Sequence, residues 1–458
     1  MPIHIPHELV EKYNKPGPRY TSYPTIPAWN QKFEESDYRE ALTELGTRLD
    51  DELAIYLHIP FCAKHCHYCG CNAIVSREKN ATGLYLDRVE KELEMVTSLI
   101  GTGRRVVQLH WGGGTPNYLN EVEIERALKL FRSAFTIAED AEVSLEIDPR
   151  IASPEQAMQL HQVGFNRISL GVQDFDPRTQ KAIGRNQSRQ RTLKVYQGCQ
   201  DARFEGVNID LVYGLPGQTR ESFIETLREI IDLKPNRVAC FSYAHVPWIR
   251  PEQNKVDTTI MLTGYEKFQL FQQAVDRFQQ ADYTWIGIDH FAQKDDELSV
   301  ALDHRKLHRN FMGYATKPAP HMLAFGLSGI GDVCNRFVQN DVELKGWSTS
   351  IHDGQLPIIK GHKLSEEDKL RRLVILNLMC NLELPWSLTK ADYGAPANEL
   401  LGDSLQSLPP LIEDGLVEQD REGLRITSRG RYFVRNVAMI LDAYLGKSKG
   451  EPIFSKTV

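Results

Sequence analysis

The chain has 458 residues, 41% hydrophobic and 25% charged, enough for two or three domains around a large core. Its net charge of −7 at pH 7 argues against a nucleic-acid binder acting through bulk charge, and no apolar run is long enough to cross a bilayer. The start, Met1-Pro2-Ile3-His4-Ile5-Pro6, lacks the basic and apolar regions of a secretory signal. Of eight cysteines, four crowd into residues 62–71, which fits reduced cytoplasmic thiols serving a metal or redox site rather than a disulfide framework.

In chain order, residues 1–50 read as an extended N-terminal arm, with Pro16-Gly17-Pro18 ahead of Arg19 to Thr25. From residue 54, short strands alternate with amphipathic helices. The strands are expected at 54–60, 106–111, 142–148, 167–173, 207–213 and 237–244, with a further one at 285–291. Helices are expected between them, among others at 83–100, 121–135 and 220–233. This alternation implies parallel pairing through right-handed crossovers, an α/β barrel, complete or incomplete, within residues 51–350. Residues 360–458 read as a helical domain. A hairpin of Leu416–Gln419 and Leu424–Thr427 gives it a winged-helix-like order, suited to a lid. Arg429, Arg431 and Arg435 read as a solvated helix face rather than a DNA-binding surface.

The strands alternate, although parallel strands buried on both faces normally read as continuous apolar runs. Tyr56 and His58 oppose Ile55, Leu57 and Ile59; Gln108 and His110 oppose Val107, Leu109 and Trp111. Ser144, Glu146 and Asp148 alternate with Val143, Leu145 and Ile147; the fourth and fifth strands put Ser169, Gln173, Asn208 and Asp210 on the same polar side. With the apolar face against outer helices, the polar face lines a lumen suited to a large polar ligand. The competing reading is an antiparallel sheet with one wet face.

After the first strand comes Cys62-Ala63-Lys64-His65-Cys66-His67-Tyr68-Cys69-Gly70-Cys71. A C-x3-C-x2-C spacing holds three corners of a cubane iron–sulfur cluster and leaves the fourth iron open to a small molecule. Zinc would have to draw four ligands from one short loop, with His65 or His67 pressed into service and no distant second pair.

The loop resembles the signature of the radical S-adenosylmethionine (SAM) superfamily. The resemblance extends over nearly the whole chain to one family, the oxygen-independent coproporphyrinogen III oxidases of haem synthesis. It is carried by Arg19-Tyr20-Thr21-Ser22-Tyr23-Pro24-Thr25, His58-Ile59-Pro60-Phe61-Cys62, His110-Trp111-Gly112-Gly113-Gly114-Thr115-Pro116, Glu146-Ile147-Asp148-Pro149-Arg150, Gly171-Val172-Gln173-Asp174-Phe175, Asn208 to Pro216, Ile288-Asp289-His290-Phe291-Ala292 and His308-Arg309-Asn310-Phe311.

The resemblance implies a partial (β/α)6-type radical SAM barrel with an N-terminal arm and a mainly helical C-terminal domain. It implies a [4Fe-4S] cluster on Cys62, Cys66 and Cys69, with SAM on the open iron and a second SAM beside it. Tyr56, Gly113, Glu146 and Ile330 fall at the first SAM, and Tyr68, Gly114, Thr115, Gln173, Arg185, Asp210 and Ala244 at the second. Without the resemblance, Glu146 would read as a buried acid paired with Arg167, the glycine run as a tight turn, and Arg185 as a surface arginine. Cys71 must stay off the cluster; it stands near the substrate or is a small packed residue.

The implied reaction is the oxidative decarboxylation of two propionates of coproporphyrinogen III to vinyl groups, each through a 5′-deoxyadenosyl radical. Arg19 and Arg309 are candidate anchors for the substrate carboxylates, or ordinary ion pairs. The expected partners are this tetrapyrrole, an electron donor and an electron acceptor, with no nucleic acid and no membrane span, in a cytoplasmic monomer. The alternative is a haem-binding or haem-trafficking relative, a group that usually lacks both the fourth cysteine and the Arg-Tyr-Thr-Ser-Tyr-Pro arm present here.

Overall fold

The computed structural model describes residues 3–30, 32–317, 319–445 and 454–457. In chain order it carries α1 (His7–Tyr13), α2 (Glu35–Gly46), β1 (Leu53–Ile59), α3 (Ala81–Ile100), β2 (Arg104–Gly113), α4 (Glu121–Ala134), β3 (Phe135–Ile147), α5 (Pro154–Gln162), β4 (Arg167–Gln173), α6 (Pro177–Ala182), α7 (Arg189–Asp201), β5 (Gly206–Tyr213), α8 (Arg220–Leu233), β6 (Arg237–Ser242) and α9 (Gly264–Gln280). Two compact units emerge. One, here the sheet unit, takes the described residues of 29–211 and 317–363; the other, the aromatic unit, takes those of 1–28, 212–316 and 364–458.

In the sheet unit β1 to β5 lie in sequence order and pair in parallel. On the other side of β1 the strand His321–Phe325 is also parallel, and Ile330–Val333, Arg336–Asn340 and Ile358–Lys363 continue antiparallel. Helix boundaries follow capping chemistry. Asn120 and Glu123 close a reciprocal capping box at the start of α4, and Ser153 caps α5 ahead of Pro154. The strand phases hold: Ile55, Leu57, Leu109, Trp111, Leu145, Leu170, Val172, Ile209 and Leu211 are all buried. At about 1.5–3 kcal/mol for each fully buried large apolar side chain, this face fixes the strand register.

Glu92 interrupts the apolar face of α3, buried among Val89, Leu93 and Val96. It accepts from Gly326 N at 2.8 Å and Asn340 Nδ2 at 2.6 Å, fastening the helix to the strand ends opposite.

The aromatic unit is held by ring packing. Phe278 stacks on Phe291 with centroids 4.6 Å apart, and Phe271 meets Trp285 at 5.7 Å. Phe268 meets Tyr432 at 5.4 Å. The long helix Glu366–Asn381 starts at a Ser365–Asp368 capping box, and a three-stranded sheet of Glu383–Pro385, Gly423–Ile426 and Val417–Gln419 contains the expected hairpin.

Three expectations need correction. The strand expected at 285–291 is two antiparallel strands, Tyr283–Ile286 and His290–Gln293, because Gly287 turns at φ +53°. Residues 1–50 are not an extended arm throughout, since they carry α1 and α2. The clues were present: Glu8 and Lys12 suit the two ends of α1, and Glu34 with Asp37 forms a capping box for α2. Arg435 is buried rather than solvated; its Nε donates to Pro18 O at 2.8 Å.

Burial pushes the Glu92 carboxyl up to about 8, against the hydrogen bonds it accepts. In the window from its ordinary value near 4.5 up to about 8, the unfolded chain has released this proton and the folded chain keeps it. Stability should therefore fall as pH rises through that window, by up to about 1.4 kcal/mol per pH unit. Urea midpoints measured across the window should show this slope, and Glu92→Gln should flatten it.

Candidate active site

The cysteine loop is stitched shut at its base. Cys62 N donates to Ile74 O at 2.9 Å, and Ile74 N to Pro60 O at 2.7 Å. His58 Nε2 meets Asn72 O and His65 Nε2 meets Ala73 O, both at 2.9 Å, so these histidines are fasteners of the loop. His67 N donates to Ile183 O at 2.8 Å, tying the loop to the end of α6.

Each of the three cysteines has a partner suited to a charged sulfur. Cys62 Sγ lies 3.2 Å from Thr115 Oγ1, Arg185 Nη1 lies 3.5 Å from Cys66 Sγ, and Cys71 N lies 3.4 Å from Cys69 Sγ. A hydrogen bond from the Cys71 thiol pulls Cys69 below the usual thiol range, while the same bond holds Cys71 well above it. Burial pushes Cys62 up to about 11. Among the described residues no three His, Cys, Asp or Glu side chains converge on one ion. A cubane asks something different, one thiolate at each of three irons, and three thiols on one fastened loop with donors to their sulfurs fit that demand.

The glycine run ends β2 and is more than a tight turn. Gly113 has φ +113°, and a side chain there would strike the His58 ring at 2.6 Å; one on Gly114 would strike Pro60 O at 2.5 Å. These glycines let the end of β2 close against β1 and the root of the cysteine loop.

The polar strand face is an ordered row. The Tyr56 and His110 rings stack at 6.0 Å, and Tyr56 Oη is 3.1 Å from His58 Nδ1. His110 Nδ1 is 2.8 Å from Ser144 Oγ, and its Nε2 is 3.5 Å from Glu146 Oε1. Farther along, Asn208 Nδ2 donates to Ser169 Oγ and to Asp210, each at 2.7 Å, and Ser169 Oγ donates to Asp210 at 3.0 Å. Glu146 is not the partner of Arg167, which instead pairs with Glu142 at 3.2 Å. The Glu146 side chain keeps 43% exposure, enough to meet a ligand.

Arg185 is buried, not a surface arginine. It donates to Gly171 O at 2.6 Å, to Gln187 Oε1 at 2.8 Å and to Asp148 Oδ1 at 3.2 Å, besides Cys66. Burial opposes its charge, but Tyr68, Asp148 and Cys66 outweigh that and keep it firmly protonated. Asp148 also takes Arg150 at 2.6 Å, and its backbone N–H donates to Asn117. In the sequence Asp148 stands on the polar face with no role of its own. Its signal was the Asp-Pro-Arg triplet, an acid two residues before a cation able to fold back on it.

The sheet unit thus brings Tyr56, Cys62, Cys66, Cys69, Cys71, Tyr68, Gly113, Gly114, Thr115, Glu146, Gln173, Arg185 and Asp210 onto the ends and polar face of β1 to β5 and their loops, with Ile330 opening a strand farther along its sheet. Arg19, Arg309 and Ala244 belong to the aromatic unit. There Arg19 pairs with Asp289, and Arg309 donates to Arg19 O at 3.0 Å and to Tyr314 Oη at 3.3 Å.

Asp148→Asn keeps the shape but strips Arg150 and Arg185 of their shared counter-charge. Breaking a buried pair in this way should cost roughly 3–5 kcal/mol in urea unfolding. A cluster reconstituted on this variant should also bleach faster than on the parent chain, because Arg185 is no longer steered onto Cys66.

Residues 56–230 match the Radical SAM superfamily, and residues 364–433 match the HemN C-terminal domain. An oxygen-independent coproporphyrinogen III oxidase of Synechocystis is 40% identical, covering 98% of this chain and 97% of its own. The enzyme of that name from Escherichia coli is 39% identical, with 98% of each chain covered. The solved coproporphyrinogen III oxidase (HemN) from Escherichia coli, titled a radical SAM enzyme, superposes with a TM-score of 0.91 at 38% identity, over 97% of this chain and 100% of that one. The fold expected from the resemblance is therefore the fold observed, and the chain belongs to the oxygen-independent coproporphyrinogen III oxidase family of the radical SAM superfamily.

Proposed function

We propose that this chain converts two propionates of coproporphyrinogen III into vinyl groups without oxygen, giving protoporphyrinogen IX. The observation that carries this reading is the fastened loop of Cys62, Cys66 and Cys69 beside the polar row of β1 to β5, in a chain matched end to end by relatives of that activity. Each propionate side chain loses one hydrogen atom, CO2 and one electron to become vinyl. An unactivated C–H bond offers no acidity to a general base. When bound, the [4Fe-4S] cluster and SAM supply the one-electron chemistry that removes such a hydrogen.

The chain's own residues do the rest. Cys62, Cys66 and Cys69 hold the cluster, and Arg185 and Thr115 steady two of the three sulfurs. Tyr56, Gly113, Glu146 and Ile330 form the first SAM site, with Glu146 accepting from an ammonium or ribose donor. Tyr68, Gly114, Thr115, Gln173, Arg185 and Asp210 form the second. Cys71 stays off the cluster. Arg19 and Arg309 serve the substrate carboxylates, Arg309 the more freely because Arg19 is already paired with Asp289.

The protein works as a cytoplasmic monomer with a separate electron donor and acceptor. All eight cysteines are free thiols, which suits a reducing compartment, and no helix of the described residues is long and apolar enough to cross a membrane.

Under anaerobic conditions the reconstituted chain, given reductant, SAM and coproporphyrinogen III, should release CO2 and 5′-deoxyadenosine with a vinyl-bearing product. Stoichiometric haem retention without CO2 would favour a haem-carrying role instead. Cys62→Ala, Cys66→Ala and Cys69→Ala should each abolish the cluster absorption. Cys71→Ala should keep it; its loss there would refute the three-cysteine assignment.

A further inference from the structure

Within the aromatic unit, Arg19, Arg431 and Arg435 line a cavity of about 40 Å³ together with Ser242 and Asp289, under the rings of Phe268, Phe271 and Tyr432. The charges around it do not balance. Arg19 takes the Asp289 carboxylate, whose other oxygen meets His290 Nδ1 at 2.7 Å, so this acid is fully engaged. Arg431 stacks on Trp285 at 4.4 Å and donates only to the Trp285 carbonyl, and its buried Nε has no partner. Arg435 donates to four backbone carbonyls, those of Gly17, Pro18, Lys456 and Thr457. Close by, Arg309 has a buried Nε without a partner, and Lys267 Nζ donates to Tyr243 O at 2.7 Å. Among the described residues none of Arg309, Arg431, Arg435 and Lys267 has a carboxylate partner.

Cations gathered away from water without counter-charge are costly. The strain is visible: burial, then Arg19 and Arg435, pull Lys267 down to about 7, and burial with Arg19 brings Arg435 to about 9. An incoming anion would relieve it, and the cavity states its size. At about 10–15 Å³ per water, there is room for roughly three waters, the bulk of one carboxylate and far less than a macrocycle. The aromatic wall suits the methylene stem of such a group.

We propose that this cavity is a carboxylate subsite in which Arg431 and Arg435 hold one propionate of the tetrapyrrole, a deepening that rests on the reading of the substrate above. The group held is one that the reaction retains. Cations clustered on a carboxylate stabilise its charge and so oppose its departure as CO2. The subsite therefore selects a propionate that is kept, by holding its charge.

Binding without turnover tests this. Fluorescence titrations of the purified chain would compare coproporphyrin III, protoporphyrin IX and the coproporphyrin tetramethyl ester. Arg431→Gln should weaken both free acids roughly tenfold to hundredfold, the scale of one charge-assisted contact, and leave the ester unchanged. Arg431→Lys should recover part of the loss, and the cluster absorption and SAM affinity should not move. As a second variant, Ser242→Glu places a carboxylate in the cavity; it should raise Tm and weaken the free acids. Unchanged acid affinity in Arg431→Gln, equal loss for acid and ester, lost SAM affinity in its place, or a Ser242→Glu chain that is less stable and binds normally would each overturn the subsite. Failure to form CO2 in the anaerobic assay would strike the proposed reaction, while the ester comparison still decides the subsite.

Discussion

A two-residue period governs the sheet unit. Successive side chains of a strand point to opposite faces, so one choice of phase sends Ile55, Leu57 and Ile59 outward with Leu109, Trp111, Leu145 and Leu170, and sends Tyr56, His110, Glu146 and Asp210 the other way. A slip by one residue would put every polar group against the helices. The phase cannot drift, and the polar groups inherit their positions from the apolar ones. Parallel register then sets Tyr56 beside His110 and His110 beside Ser144.

A polar row inside a folded unit has to be satisfied by itself or by a ligand. Part of the row bonds to itself: Arg167 pairs with Glu142, and Asn208, Ser169 and Asp210 bond to one another. Other acids of the same face are placed differently. Glu146 keeps an exposed carboxylate beside His110, and Asp148 turns two arginines toward the cysteine loop. Closed network and exposed acid thus share one face. The aromatic unit shows the opposite economy, with several cations and a single engaged acid around one small cavity.

Periodicity and spacing carried most of the strand unit in the sequence. Strands β1 to β6 were legible, and so were the phases of the first five, because each needs only its own residues to declare a face. What stayed hidden depended on partners. Arg431 and Arg435 look solvated in a polar stretch; only the packing of Val434, Val437 and Ala438 draws them in. The segment 285–291 alternates like a strand, and the turn at Gly287 is written in one backbone angle. Arg185 had no local cue, since its burial is imposed by Asp148 and Gly171, 37 and 14 residues away. Glu92 was readable in principle, as a lone acid on an apolar helix stripe, but its fasteners Gly326 and Asn340 lie far along the chain.

Gln173 shows where alternation stops being a sufficient argument. By strict period it follows Ser169 and Gly171 onto the polar face, but β4 slips register against β5 between Gly171 and Gln173. Gln173 itself stands at φ +70°, a conformation that costs a non-glycine residue about 1–2 kcal/mol. Its direction is therefore set by the bulge. The bulge lays the amide over Gly171, where a side chain would meet Gln173 Nε2 at 2.8 Å and Arg185 Nη2 at 3.3 Å. Glycine at 171 leaves room for both. A chain that spends backbone strain and gives up a side chain to bring an amide and a guanidinium together has built a position, and it lies at the strand end beside the arginine that steers onto Cys66.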